Sequence, residues 1–170
     1  MAPMDHVDVM LDQWSRERPD LDLTAVGTVG RLGRFALLAG RVVEEVFKQH
    51  GLQRGEFDVL ATLRRSGAPY ELMPSELAAL LLMSRAGMTS RTDRLESAGL
   101  VERRTDPADR RSVRIALTTA GRTLVDAAFT DHAANETALL SALSGQEQAT
   151  LDKLLRKLLA DVEGPERPAP

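Results

Sequence analysis

A chain of 170 residues with 43% hydrophobic but only 4% aromatic content supports one domain of ordinary size, or a small module carrying dimerisation helices, with a core of Leu, Ala and Val. It contains no cysteine, which excludes disulfides, thiol redox sensing, thiolate zinc sites and a cysteine nucleophile. The formal net charge of −3 weighs against a nucleic-acid partner if taken as an average, and no stretch approaches the roughly 18–20 uncharged apolar residues of a membrane span.

The N-terminal MAPMDHVDVMLDQW carries acids where a signal peptide would carry positive charge, so a cytoplasmic protein is expected. Val7, Met10, Leu11 and Trp14 fall at helical spacing and predict a short amphipathic helix over 7–17. Pro19 and the PDLDL stretch interrupt it. A long helix follows from about 24 to 50, with Val26, Val29, Leu32, Leu37, Val42, Val43, Val46 and Phe47 on its apolar positions and Gly51 ending it. Phe57, Leu60 and Leu63 mark a buried stripe over 54–66, and Gly67, Ala68 and Pro69 break the chain.

Pro74 suits the first position of the next helix, and Glu76 stands where a capping-box acid would. The cap position is Met73, which has no side-chain acceptor, a cost of roughly 1 kcal/mol at that helix start. A turn near 83–84 leads to a helix over 85–98 that Gly99 ends. Residues 100–104 and 113–117 read as short strands joined by Asp106-Pro107-Ala108-Asp109, which is turn chemistry. Thr118 caps a long helix to about 142, and Ser144 with Glu147 forms a capping box for a last helix striped with Leu151, Leu154, Leu155, Leu158, Leu159 and Val162. The expected architecture is mainly α with a small β wing: N-terminal helices over 1–50, a winged helix-turn-helix over 51–120, C-terminal dimerisation helices over 121–163 and a disordered tail over 164–170.

Two helices joined by a tight turn, the second of them polar, fit a recognition helix whose N-terminal residues meet base edges. Ser84, Arg85, Thr89, Ser90 and Arg94 are its candidate DNA contacts. Read without the hairpin, this polar face is equally well a solvated surface. The hairpin decides between the two, because Arg103, Arg104, Arg110 and Arg111 lie beside or at its tip, where arginines enter a minor groove or hold phosphates. Charge is divided accordingly: from Arg85 to Arg122 nine arginines face five acids, a net of +4, which leaves −7 on the rest of the chain. The Leu-rich terminal helices cannot bury all their apolar faces on one small winged module, which points to a partner subunit.

Four residues stand apart. Arg91 shares the inward stripe of the recognition helix with Met88, Leu95 and Ala98, and Asp58 sits between Phe57 and Val59; each needs an opposite charge or a ligand, because a bare buried charge is costly. Arg103 shares a strand face with Val101, and Trp14 lies on the apolar side of the first helix. A salt bridge plus a packing tryptophan accounts for these four as well as a ligand site does. Gly27, Gly30 and Gly33 fall inside a helix and read as close packing rather than a dinucleotide loop. His6, His50 and His132 are isolated, so no metal is expected. No GxSxG or phosphate loop is present, and neither an enzyme nor a cofactor is expected.

Asp109 and Arg111 before the second strand and Leu117 and Thr118 at its end resemble the signature of the MarR family of bacterial regulators, and the likeness runs from the long first helix to the last. The resemblance implies a homodimer made by the terminal helices, double-stranded operator DNA as partner with each winged module reading half a palindrome, and release by a small anionic ligand. RPDLDL, FDVL, MTxRxDRLExAGLV and DPxDRR resemble the urate-responsive branch in particular. That branch has a ligand site of one Trp, one Asp and two Arg, matching Trp14, Asp58, Arg91 and Arg103. It implies that Trp14 and Arg91 contact urate or a related anionic purine, whose charge displaces Asp58, disturbs its pairing with Arg103 and shifts the recognition helix through Arg91. Met73 and Thr92 depart from the branch. A repressor relieved by urate is the expectation; a phenolic carboxylate effector, or a helical interaction protein without a DNA role, are the alternatives.

Overall fold

A computed structural model describes residues 4–106, 109 and 111–164. The elements run α1 (His6–Glu17), α2 (Thr24–Gln49), α3 (Arg54–Arg65), β1 (Glu71–Leu72), α4 (Pro74–Leu80), α5 (Arg85–Ser97), β2 (Val101–Thr105), β3 (Val113–Leu117), α6 (Thr119–Leu139) and α7 (Gly145–Val162). The fold is thus mainly helical with a small antiparallel sheet of order β1-β3-β2. Of the tail expected over 164–170, all but Gly164 lies outside the described residues, as does Arg110.

Asp5 starts α1 by accepting from the Val7 and Asp8 N–H groups at 2.7 and 2.9 Å, which satisfies two of the helix's orphan donors. The helix then settles on α2. A Cβ on Gly27 would come 2.9 Å from Leu11 Cδ1, and one on Gly30 would come 3.4 Å from Val7 Cγ1, so these two glycines permit the approach. Arg31 ties the same pair of helices through Asp5 at 2.7 Å and through Asp8.

The winged module forms around α3. Phe57, Val59, Leu60 and Leu63 of α3 bury with Leu77 of α4, Met88 and Leu95 of α5, Val101 of β2 and Ile115 and Leu117 of β3. Val43 and Phe47 of α2 and Val125 and Ala128 of α6 belong to the same core, with the Phe47 and Phe57 rings stacked at 4.0 Å. The winged module is thereby packed onto the long helices rather than tethered to them.

β1 was not anticipated: two residues are too short to show alternation, and they pair only as Glu71↔Ala116 and Leu72↔Ile115. Val113 at the start of β3 is 39% exposed, whereas Ile115, Ala116 and Leu117 are all buried, so β3 is covered on both faces at its end. Met73 supplies no side-chain cap, and the Glu76 carboxylate accepts from its N–H at 2.7 Å. The helix expected to reach 142 ends at Leu139. α7 begins at the anticipated Ser144–Glu147 capping box.

The wing and α6 meet at a tight joint. Thr118 Oγ1 accepts from the Gly121 N–H at 3.0 Å and lies 2.8 Å from Gly99 O, to which it donates. A Cβ on Gly121 would fall 2.0 Å from Leu100 O, so only glycine permits this approach of α6 to the end of α5. Thr118 and Gly121 thus hold the start of α6 against the end of α5.

Candidate nucleic-acid interface and ligand pocket

Ser84 caps the recognition helix α5 with its Oγ, which accepts from the Gly87 N–H at 3.2 Å. Arg85, Thr89 and Ser90 follow on its exposed side. Between the start of α5, the start of α4 and the wing lies a cleft of about 480 Å³ lined by Ser75, Arg85, Thr89, Arg111 and Ser112, among others. Helix and wing therefore present their basic groups to one concavity. Asp109 shapes the wing beneath it, accepting from the Arg111 N–H at 3.0 Å and from the Ser112 hydroxyl at 2.8 Å; these bonds hold its carboxyl below the usual range.

The arginines of this region divide into two groups. Arg94 Nε lies 3.0 Å from Glu56 Oε1, Arg104 pairs with Glu102 and Glu71, and Arg114 pairs with Asp106 at 2.6 Å. Arg94, expected on the DNA-reading face, is thus drawn to the first turn of α3. Arg85 and Arg111 make no side-chain hydrogen bond or ion pair among the described residues. Glu56 and Glu71, both outside the segment, offset two of its four net charges, and Arg85 and Arg111 are unpaired guanidiniums that line the cleft.

Arg103 departs from expectation. It does not meet Asp58; its Nη2 binds Asp93 at 2.5 Å and its Nη1 pairs with Glu96, both on α5. β2 leaves α5 after a single tight turn, so its third residue lies beside the outer acids of that helix instead of reaching α3. Thr92, one of the two departures from the urate branch, joins this link. Its buried hydroxyl lies 3.0 Å from the carbonyls of Met88 and Thr89 and 3.4 Å from Arg103 Nη2.

Arg91 turns inward as its offsets predict. Its guanidinium crosses Gly55, where a Cβ would stand 2.1 Å from Nε, and Nη1 reaches Met83 Sδ at 2.8 Å and Gly87 O at 3.4 Å. Asp58 is half-buried, and burial raises its carboxyl above the ordinary value of 3.8 against the pull of Arg54, Arg91, His132 and Arg65. It forms no ion pair among the described residues. Asp58 lines a cavity of about 510 Å³ among α2, α3, α6 and α7, with Phe35, Phe57, Arg54 and His132 in its wall. Trp14 is 49% exposed on α1 and does not line that cavity. Of the four anticipated ligand residues, Asp58 and Arg91 come within electrostatic reach, Arg103 is engaged elsewhere, and Trp14 stands apart within one chain.

Ser75, Ser112 and Glu56 escaped the sequence reading. The first two carry no pattern of their own, whereas Glu56 had a legible signal in its capping position: its Oε2 accepts from the Gln53 N–H at 2.8 Å.

A recognition helix, a wing and a cleft that unites their free arginines define a winged helix-turn-helix DNA-binding protein. Residues 50–112 match the MarR family profile. The transcriptional regulator PecS of Dickeya dadantii is 42% identical over 158 residues, covering 93% of this chain and 95% of that protein. The transcriptional repressor MprA of Escherichia coli is 33% identical over 119 residues, covering 70% and 67%. A mutant E. coli MarR solved in complex with operator DNA superposes with a TM-score of 0.69 at 29% identity, covering 81% of this chain and 97% of that one. The chain belongs to the MarR family of transcriptional regulators, which are non-enzymatic DNA-binding proteins that need no cofactor. An interaction protein without a DNA role is thereby set aside. No helix among the described residues is long and apolar enough to cross a membrane.

Proposed function

We propose that the protein is a cytoplasmic homodimeric repressor that reads a palindromic operator and is released by urate or a related anionic purine. The observation that carries the DNA-reading face is the pair Arg85 and Arg111, free of acidic partners and set on one cleft at the start of the recognition helix and on the wing. Ser84, Thr89 and Ser90 flank Arg85 for base or phosphate contact; Arg110, expected to join them, lies outside the described residues. Arg94 acts through Glu56 as a positioning residue.

Dimerisation is supported by what the single chain leaves bare. α7 has no buried residue, and Leu154, Leu158 and Leu159 are 54%, 52% and 54% exposed. Val29 and Leu37 of α2 are likewise exposed. Burying each such side chain contributes about 1.5–3 kcal/mol, and a second copy offers the complementary faces by symmetry.

The ligand arm rests on the resemblance to the urate-responsive branch, with Trp14, Asp58 and Arg91 as its residues. Arg91 is suited to a flat anion because its guanidinium is planar and permanently charged. Arg91 also belongs to the recognition helix, so a ligand that draws it differently in the two states shifts their populations. Retardation of promoter DNA, repeated with urate, xanthine, hypoxanthine and a phenolic carboxylate, tests both halves. Urate should release the DNA and quench the fluorescence of Trp14, the single tryptophan. Failure to retard any promoter fragment at low salt would refute the repressor, and release by the carboxylate alone would replace the purine.

A further inference from the structure

We propose that Arg54 is the second guanidinium of the ligand site, holding the anionic edge of the effector in the cavity beside Asp58, while Arg103 serves the recognition helix and wing. This inference rests on the ligand-release reading and names a residue which that reading does not contain. Arg103 is committed to Asp93, Glu96 and the Thr92 hydroxyl, all on α5. A guanidinium shared by two carboxylates is a poor receiver for a third anion, since each partner already satisfies its donors.

Arg54 is in the opposite condition. It stands at the first position of α3 and lines the cavity together with Asp58. Its side chain makes no hydrogen bond or ion pair among the described residues. It extends towards α2 over Gly40, where a Cβ would stand in ordinary contact with Nη1 at 3.7 Å, so the fork spans the cavity from α3 to α2.

The cavity suits an aromatic anion in its other walls. Phe35, Phe57 and the His132 ring supply flat apolar surface. Two further carboxylates reach the rim, yet each has a partner: Glu136 lies 3.3 Å from His132 Nε2, and Asp152 is 2.7 Å from Arg156 Nε. Asp58 is the remaining acid. It forms no ion pair among the described residues, and Arg54 is the foremost of the cations that act on its carboxylate. Arg54 thus offers an unpaired guanidinium beside Asp58 on one edge of an apolar slot.

Calorimetric titration of the full-length protein with urate, with uncharged hypoxanthine and with benzoate tests this, using Arg54→Gln, Arg54→Lys and Arg103→Gln variants. Loss of a charge-assisted hydrogen bond should weaken urate binding by about tenfold or more in Arg54→Gln. Hypoxanthine affinity and operator affinity should stay within about twofold of the parent, and Arg54→Lys should recover part of the preference for the anion. Arg103→Gln should bind urate normally and alter operator binding. Urate binding by Arg54→Gln as tight as that of the parent protein overturns the assignment. Binding of benzoate but not urate removes the purine while leaving Arg54 to be judged on benzoate, and binding of neither anion overturns both readings.

Discussion

Arg91 lies across Gly55 so closely that a Cβ at that position would stand 2.1 Å from its Nε. The recognition helix thus rests a charged side chain on the first turn of α3, and a missing methyl group makes the space. Arg91 is flexible, so Gly55→Ala should displace the guanidinium without unfolding the protein. Helix propensity favours alanine by about 1 kcal/mol. The variant should melt at or above the parent temperature, retard operator DNA and lose most of its response to effector. Normal effector release by a well-folded Gly55→Ala protein would mean that the seat of Arg91 is irrelevant to the switch.

Free and neutralised arginines should differ in the salt dependence of operator binding. Arg85→Ala and Arg111→Ala should each reduce the slope of log K against log salt by about 1, as expected for loss of one phosphate contact. Arg94→Ala should leave the slope nearly unchanged, because its charge is matched by Glu56. Fluorescence anisotropy over a salt series separates the cases, and equal slopes for all three variants would contradict the division.

Asp58 gives a stability profile of defined sign. Its carboxyl is raised by burial, so between its ordinary value of 3.8 and the higher folded value the native state holds more protons than the unfolded one. Stability contributed by this site therefore falls as pH rises through that window and stays lower above it. Asp58→Asn should match or exceed the parent in denaturant melts at neutral pH. The difference should shrink as pH drops below the window. A variant markedly less stable than the parent at neutral pH would show that Asp58 has a favourable charge partner.

Gly121→Ala places a methyl group where Leu100 O stands, at 2.0 Å. Backbone cannot rotate aside as a side chain can, so the joint must open, at about 1–3 kcal/mol for an overpacked site. Thermal melting and operator affinity should both fall, and an unchanged melt would remove the joint from the account.

Long, strongly periodic segments were legible: α2, α3 and α7 lie within a residue or so of their expected bounds, and the wing falls where turn chemistry and alternation located it. The inward turn of Arg91 was legible too, because helical offsets fix which face a residue occupies. Arg103 was not. A strand's alternation tells which side a residue takes but not which neighbour it meets there, and the acids Asp93 and Glu96 meet it before α3 can. The two-residue β1 and the freedom of Arg54 were equally hidden, since both depend on what lies across a gap that no local pattern records.

The bare face of α7 bears on how much of the protein must be present for any of it to last. A helix with no fully buried residue in its own chain would owe much of its order to the second copy proposed above, and apparent stability would then be a function of concentration. Each tenfold dilution would then remove about 1.4 kcal/mol from the assembled state, and melting temperature should climb with protein concentration. Scarcity itself would limit repression: below the level at which copies find one another, the regulator would be cleared as well as silent.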